Sequence, residues 1–128
     1  MTNVELNRLS KEILDASIQV HKEMGPGLLE SVYETCLIEE LKIRNINATS
    51  QVELPLIYKG RKLNKEFRID VLVENEIILE LKTVEKILPV HEAQIISYLK
   101  LADKGLGFLI NFNVSLLKQG FHRFVNKF

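Results

Sequence analysis

With 128 residues, 46% of them hydrophobic, the chain is long enough to bury a core without disulfides or a structural metal, and its length predicts a single domain spanning residues 1–128. Seventeen Lys and Arg residues balance seventeen Asp and Glu residues, which excludes the global positive field that by itself would indicate a nucleic-acid binder. The first residues mix charges without a continuous apolar stretch, and the single cysteine, Cys36, allows no internal disulfide, so we expect a soluble cytoplasmic protein without a membrane span.

Two helices are predicted first, with a sharp break between them. Apolar residues at helical spacing predict a helix from Val4 to Met24. Gly25-Pro26-Gly27 ends this helix, because proline lacks a backbone donor and glycine adopts conformations that a helix cannot. A second helix starts near Leu28 and continues until Asn45. Cys36 lies in its apolar register, where packing in the core is favoured over a nucleophilic role.

From Thr49 the pattern changes to the alternation of apolar and polar residues that is typical of strands. Pro55 in the first strand indicates an edge strand or a bulge, because proline cannot donate to a ladder. The elements that follow are a hairpin (Glu66 to Val73 and Ile77 to Thr83), a third helix (about Val90 to Ala102), an apolar strand (Gly107 to Phe112) and a further edge strand (Phe121 to Val125). This order predicts an α/β (α+β) fold, a mixed β-sheet flanked by helices.

The central hairpin carries charged residues in the middle of apolar strands. A turn centred on Asn75 places Asp70 opposite Glu80, because the two are equally far from it, and Lys82 then shares their face. The opposite face is predicted to hold Ile69, Val71, Val73, Ile77, Leu79 and Leu81. Isolated buried charge is costly, so two carboxylates and an ammonium group together indicate a metal-binding cluster.

This cluster has the chemistry of a magnesium site. Mg²⁺ prefers carboxylate and carbonyl oxygens, which Asp70, Glu80 and the carbonyl of Leu81 can supply. Directly opposed strand residues have Cβ atoms about 4.5–5.5 Å apart, so both carboxylates can reach one ion. Lys82 would lie beside the attacking water and offset charge that develops on a phosphate. A plain salt bridge across the hairpin is the alternative explanation.

Two helices contribute further candidates. On the third helix, His91, Gln94 and Tyr98 are spaced to share one face, although a role at the helix start is favoured for His91. On the second helix, Glu30 and Glu34 lie one turn apart, and an exposed acidic face would also explain them. For Glu30 a helix-capping role competes with a catalytic one.

A basic stretch lies between the first two strands. From Tyr58 to Arg68 there are five basic residues and one acid, Glu66. A local basic groove and a solvated hairpin turn both remain open as explanations.

The segment Gly27 to Tyr33, GLLESVY, matches the signature of the GxxExxY proteins, and HKEMGPGLLESVYE, ELKTVEKILPVHEAQIISYLK and GFLINFNVSLLKQG resemble their conserved blocks. That family is similar to the PD-(D/E)XK nuclease superfamily, whose restriction-endonuclease-like core carries an acidic residue on its first helix, an aspartate, an ExK motif and often a QxxxY helix. The residues that the resemblance assigns to a nuclease site are Glu30, Asp70, Glu80, Lys82, Gln94 and Tyr98. Ile69 stands where the superfamily's name has proline.

The resemblance implies hydrolysis of phosphodiester bonds with Mg²⁺ or Mn²⁺ as cofactor. Asp70, Glu80 and Glu30 would hold metal, and Gln94 and Tyr98 would orient the site or the nucleic-acid backbone. The expected partner is nucleic acid, DNA ahead of RNA, and a homodimer or partner protein is a further expectation because so small a core needs help to grip a duplex. A catalytically silent binding module or partner subunit is the alternative.

Overall fold

The computed structural model describes residues 1–126, in which three α-helices accompany five strands. The helices are α1 (Asn3–Met24), α2 (Glu30–Ile43) and α3 (Pro89–Ala102), and the strands are β1 (Ala48–Tyr58), β2 (Arg61–Val73), β3 (Ile77–Lys82), β4 (Leu106–Asn111) and β5 (Phe121–Val125). A short 3₁₀ helix, Leu117–Gly120, precedes β5. The predicted order of elements is confirmed. None of the helices in residues 1–126 is both long and apolar enough to cross a membrane.

The strands form one mixed sheet in the order β1-β2-β3-β4-β5. Three neighbouring pairs are antiparallel, and β3 and β4 are parallel. A parallel pair needs a crossover connection, which α3 supplies between β3 and β4. The fold is therefore the predicted α+β architecture, a mixed sheet with two N-terminal helices.

Both faces of the sheet are covered by helices. The larger hydrophobic cluster joins α1 and α2 to one face and includes fully buried Leu37, Leu41 and Leu79. The smaller cluster lies on the other face, where Ile95 and Leu99 of α3 pack against the sheet. Because both faces are covered, a charged side chain in the middle of β2 or β3 loses much of its hydration.

Pro55 lies on an edge strand and beside a bulge, as the sequence indicates. β1 is the first strand of the sheet, so the missing donor of Pro55 disrupts no central ladder. The register with β2 shifts between Pro55, which faces Glu66, and Ile57, which faces Lys62. The extra residues lie on the β2 side of the bulge, which increases the local twist of the hairpin.

The prediction that Ile69 shares a face with Val71 and Val73 is wrong. Ile69 packs with Ile78 and the α3 residues, whereas Val71 and Val73 pack in the cluster under α1 and α2. The strict alternation fails because the β1–β2 ladder is interrupted between Ser50↔Val71 and Val52↔Ile69, where Gln51 has a φ of 52°. This interruption lies at Asp70, the residue on which the candidate site depends.

Candidate active site

The β2–β3 hairpin has the predicted register. Val71 faces Leu79, Leu72 faces Ile78 and Val73 faces Ile77, so the pairing is symmetric about Asn75. Glu74 and Asn75 have φ values of 51° and 56°, as tight hairpin turns require, and the amide of Glu76 donates to the carbonyl of Val73 at 2.9 Å. The turn therefore sets which side chains meet at the far end of the hairpin.

Asp70 and Glu80 meet where the regular ladder ends. The Glu80 carboxylate accepts a hydrogen bond from the amide of Asp70 at 2.9 Å, and the Asp70 carboxylate accepts one from the amide of Leu81 at 2.8 Å. The two side chains thus replace backbone pairing between the strands. Glu80 is only 3% exposed and Asp70 is half-buried.

Burial changes the acid–base properties of both groups. Loss of hydration, reinforced by the Asp70 charge, raises the pKa of Glu80 to about 8, although the amide of Asp70 and the charge of Lys82 act in the opposite direction. Loss of hydration also raises the pKa of Asp70, against the hydrogen bond from Leu81 and the charge of Lys82. The pair lacks sufficient positive charge nearby to keep both carboxylates ionised.

These residues fit a hard divalent cation. One oxygen of each carboxylate accepts a backbone hydrogen bond, which leaves the other oxygen of Asp70 and of Glu80 as a donor to metal. Mg²⁺ and Mn²⁺ favour such oxygens, and Mg²⁺ usually retains several waters. In residues 1–126 no three Asp, Glu, His or Cys side chains form a ready metal cage, and a cation held by this carboxylate pair would need water or substrate to complete its coordination.

Lys82 is held by the helix on the same face rather than by Glu80. Its ammonium group donates to the side-chain oxygen of Gln94 at 3.3 Å, and the Gln94 amide donates to the Tyr98 hydroxyl at 3.3 Å. Loss of hydration raises the pKa of Tyr98, and the Glu80 charge adds to this effect. The ion pairs within 4 Å in residues 1–126 do not include Lys82, so the geometry does not support the salt-bridge alternative.

Asn111 fixes the chain as it leaves the site. It faces Lys82 across the parallel β3–β4 pair and is 3% exposed. Its amide nitrogen donates to the carbonyl of Val84 at 2.8 Å, and its oxygen accepts from the amide of Val84 at 3.1 Å. The backbone that follows Lys82 is therefore anchored to the end of β4.

Glu30 and Glu34 lie beside the pair as an outer acidic group. Glu30 is exposed in the first turn of α2, where the N-cap residue Leu29 makes no side-chain capping bond, and its charge contributes to the raised pKa of Glu80. Loss of hydration raises the pKa of half-buried Glu34, and the charges of Asp70 and Glu30 reinforce this. Direct coordination of an ion by Glu30 stays a prediction.

The concave surface next to this acidic group belongs to the start of α2. It encloses about 560 Å³ and is lined by Gly27, Leu28, Leu29, Val32, Thr83 and Asn113. Thr83 follows Lys82 directly, so this surface opens beside the lysine. Asp70 and Glu80 do not line it.

Tyr33 explains the spacing of the GLLESVY segment. Its ring is fully buried and stacks on Phe112 with centroids 4.5 Å apart. Its hydroxyl donates to the carbonyl of Gly25 and accepts from the amide of Leu28 at 3.1 Å, which closes the turn between α1 and α2. Closing this turn determines where α2 begins and hence where Glu30 projects.

Gln51 escapes sequence reasoning, and the candidate His91 proves to be structural. Gln51 donates to Glu34 at 2.8 Å, and its side chain also acts against the rise in the pKa of Asp70. Glu34 could be found from its one-turn spacing to Glu30, but no signal marks Gln51. His91 caps the start of α3, because its Nδ1 accepts from the amide of Leu88 at 2.9 Å.

The family model of the PD-(D/E)XK nuclease superfamily matches residues 7–124. The chain belongs to this superfamily. The matched residues include Asp70, Glu80 and Lys82, and also the helix that carries Gln94 and Tyr98. Members of the superfamily generally use divalent metals, in agreement with the donor set described above.

A comparison with solved structures gives the same fold. The chain is similar to the protein described as "Crystal structure of SSO0001", with a TM-score of 0.52 and 24% identity over 73% of this chain and 47% of that chain. The present chain thus spans about half the length of that protein, and the likeness is one of fold. Comparison with curated proteins gives no significant match.

The raised pKa of Glu80 predicts a pH-dependent stability in metal-free buffer. The folded protein holds a proton that the unfolded chain loses near the ordinary pKa of 4.5, so the free energy of unfolding should fall as pH rises from about 4.5 to about 8. Glu80→Gln should remove this contribution, because a neutral amide can still accept from the amide of Asp70. Urea unfolding in EDTA at several pH values measures this free energy, with exposed Glu39→Gln as control. Equal pH dependence in Glu80→Gln and the wild type would refute the assignment.

The role of Tyr33 predicts a local loss of order. Tyr33→Phe keeps the stacked ring but removes the hydroxyl that closes the turn, and should lower the free energy of unfolding by about 1–2 kcal/mol. Hydrogen exchange should show the Leu28 amide losing protection, whereas exposed Tyr58→Phe should change neither quantity. Unchanged protection of Leu28 in Tyr33→Phe would show that the turn is held by other contacts.

Proposed function

We propose that this chain is a nuclease that hydrolyses phosphodiester bonds, with Mg²⁺ or Mn²⁺ as cofactor and DNA ahead of RNA as substrate. The observation that carries the proposal is the pair of half-buried Asp70 and buried Glu80, with an ammonium group positioned next to it. A purely structural hairpin would be more stable with apolar residues at these positions, since burial of unneutralised carboxylates is costly.

The roles of the residues follow from their contacts. Asp70 and Glu80 would hold the cation, which when bound supplies positive charge that polarises the phosphate. Lys82 donates hydrogen bonds from a position that Gln94 fixes, so it can orient the attacking water and offset charge on the phosphate. Glu30 would hold a second ion or order a water at the start of α2, and Tyr98 supports Gln94.

The finer assignments belong to the same proposal. Membership of the GxxExxY family is supported by the roles of Gly27, Glu30 and Tyr33. The turn at Gly27 and the buried ring of Tyr33 together fix the position of Glu30 at the start of α2. We further propose that residues 1–128 are a single nuclease-like domain. A reducing cytoplasm as its location accords with the unpaired Cys36, and nucleic acid is its partner.

Asp70→Asn should abolish Mg²⁺-dependent cleavage of DNA while the protein remains folded. The amide can still accept from the amide of Leu81, but it cannot supply the charge that binds the cation. In metal-free buffer the variant should be at least as stable as the wild type, because one of two crowded carboxylates is removed. Cleavage assays and urea unfolding test this, with exposed Asp15→Asn on α1 as the matched control.

Cleavage by Asp70→Asn at the wild-type rate would sink the proposed site. Tight nucleic-acid binding without cleavage by the wild type at any Mg²⁺ or Mn²⁺ concentration would instead favour the silent binding module.

Lys82→Met should separate metal binding from chemistry. The affinity for Mg²⁺ should stay similar or rise, since a nearby positive charge opposes cation binding, while the cleavage rate falls by roughly 10²–10⁴-fold as expected for loss of proton-transfer assistance. Calorimetric metal titration and single-turnover kinetics at saturating Mg²⁺ measure the two quantities on the same protein. Exposed Lys100→Met on α3 is the control. Unchanged single-turnover kinetics in Lys82→Met would count against a catalytic lysine.

A further inference from the structure

The hairpin of β1 and β2 extends beyond the rest of the sheet. β2 pairs with β3 only from Val71 to Val73, whereas its ladder with β1 continues to Arg61 at the tip. Every residue from 57 to 66 is exposed, including Ile57, Tyr58 and Leu63. We call residues 55–66 the basic arm. An exposed two-stranded ribbon of this kind contributes little to a core, so its length requires another explanation.

The charge of the basic arm is positive and not neutralised by the protein. Its cations are Lys59, Arg61, Lys62 and Lys65, and its single acid is Glu66. None of these four cations forms an ion pair within 4 Å among residues 1–126; Glu53 and Glu66 lie near Arg68 at the base of the arm instead. Because the whole chain has no net charge, the remainder of the molecule is acidic and the positive field is concentrated in the arm.

The arm leads directly into the candidate site. β2 continues from the arm to Asp70, and at about 3.3 Å per residue Lys65 and Arg61 lie roughly 17 and 30 Å from it along the strand. β3 runs antiparallel to β2, so Lys82 lies at the end of β3 nearer the arm. At the base of the arm the ring of Phe67 contacts Tyr98, with centroids 5.9 Å apart.

The shape of the arm favours a duplex over a single strand. A two-stranded ribbon fits the major groove of B-form DNA, which is about 12 Å wide. Beside Pro55 lies a concave polar surface of about 460 Å³. It is lined by Lys62, Asn64 and Lys65, whose donors suit phosphate oxygens, and also by Glu53 and Glu66, which lie near Arg68. Proteins that hold single strands depend on successive aromatic platforms, and Tyr58 is the one aromatic residue of residues 55–66.

We propose that the basic arm is the element by which this chain grips double-stranded nucleic acid. Its cations contact backbone phosphates on either side of the groove while the Asp70–Glu80 pair faces the bond to be cut. The inference rests on the proposed nuclease function and assigns its substrate class, a duplex.

The test is a binding measurement in EDTA, where metal-dependent cleavage cannot occur. Fluorescence anisotropy is recorded with a labelled DNA duplex of about 25 base pairs, roughly 85 Å long, and with one of its strands alone, over a range of salt concentrations. The arm variant carries Gln at Lys59, Arg61, Lys62 and Lys65. The control variant has the same net charge and carries Gln at exposed Lys11, Lys22, Lys42 and Lys118. Urea unfolding of both variants checks that the fold is kept.

The arm variant should bind the duplex at least 10-fold more weakly than the control variant. The slope of its log affinity against log salt concentration should be less negative than that of the wild type by about 3–4, which is the change expected for the loss of four phosphate contacts. Equal losses in the two variants, or a single strand bound as tightly as the duplex, would overturn the proposal.

The proposal and the nuclease function can fail separately. Arm-dependent duplex binding by a protein that cleaves nothing with Mg²⁺ or Mn²⁺ supports the arm and defeats the nuclease. Metal-dependent cleavage of the duplex with the same KM in the wild type and the arm variant defeats the arm and leaves the nuclease intact.

Discussion

The structure is organised around two carboxylates, buried Glu80 and half-buried Asp70, which meet where a β-ladder stops. Asp70 and Glu80 each accept a hydrogen bond from a backbone amide of the opposite strand, so one oxygen of each carboxylate is bonded while their charge is not compensated. Lys82 reduces the imbalance without closing on either group. A pair in this state favours protonation in the absence of metal and ionisation in its presence, and this electrostatic preference connects the fold to the proposed chemistry.

The surrounding elements hold this pair and its neighbours in position. Tyr33 locks the turn before α2 and so places the outer acidic group, while Gln94 restrains the lysine and Asn111 anchors the backbone that follows it. The extended β1–β2 hairpin carries the exposed cations beyond the core, at the end of the sheet where β3 ends in Lys82. Rigid strands and helices thus carry the charged groups, which is the arrangement that precise positioning of a phosphate requires.

Much of this could be predicted from the sequence because it depends on local rules. The register of the central hairpin follows from the position of Asn75, and the edge location of β1 follows from the chemistry of Pro55. The rest depends on tertiary contacts that no periodicity encodes. The face of Ile69 was wrongly predicted because an irregular pairing opposite Gln51 interrupts the alternation, and the contact of Gln51 with Glu34 joins residues 17 positions apart. Likewise, the anchoring role of Tyr33 needs the ring of Phe112 from a distant strand end.

The central claim is that a divalent cation displaces a proton from the Asp70–Glu80 pair. Calorimetric titration of the protein with Mg²⁺ at pH 7, in two buffers of different ionisation enthalpy, measures the number of protons released on binding. Since the pKa of Glu80 is about 8 without metal, we expect about one proton to be released per ion bound, and none from Glu80→Gln. Binding heats that are the same in both buffers, or binding that Glu80→Gln leaves unchanged, would contradict the account.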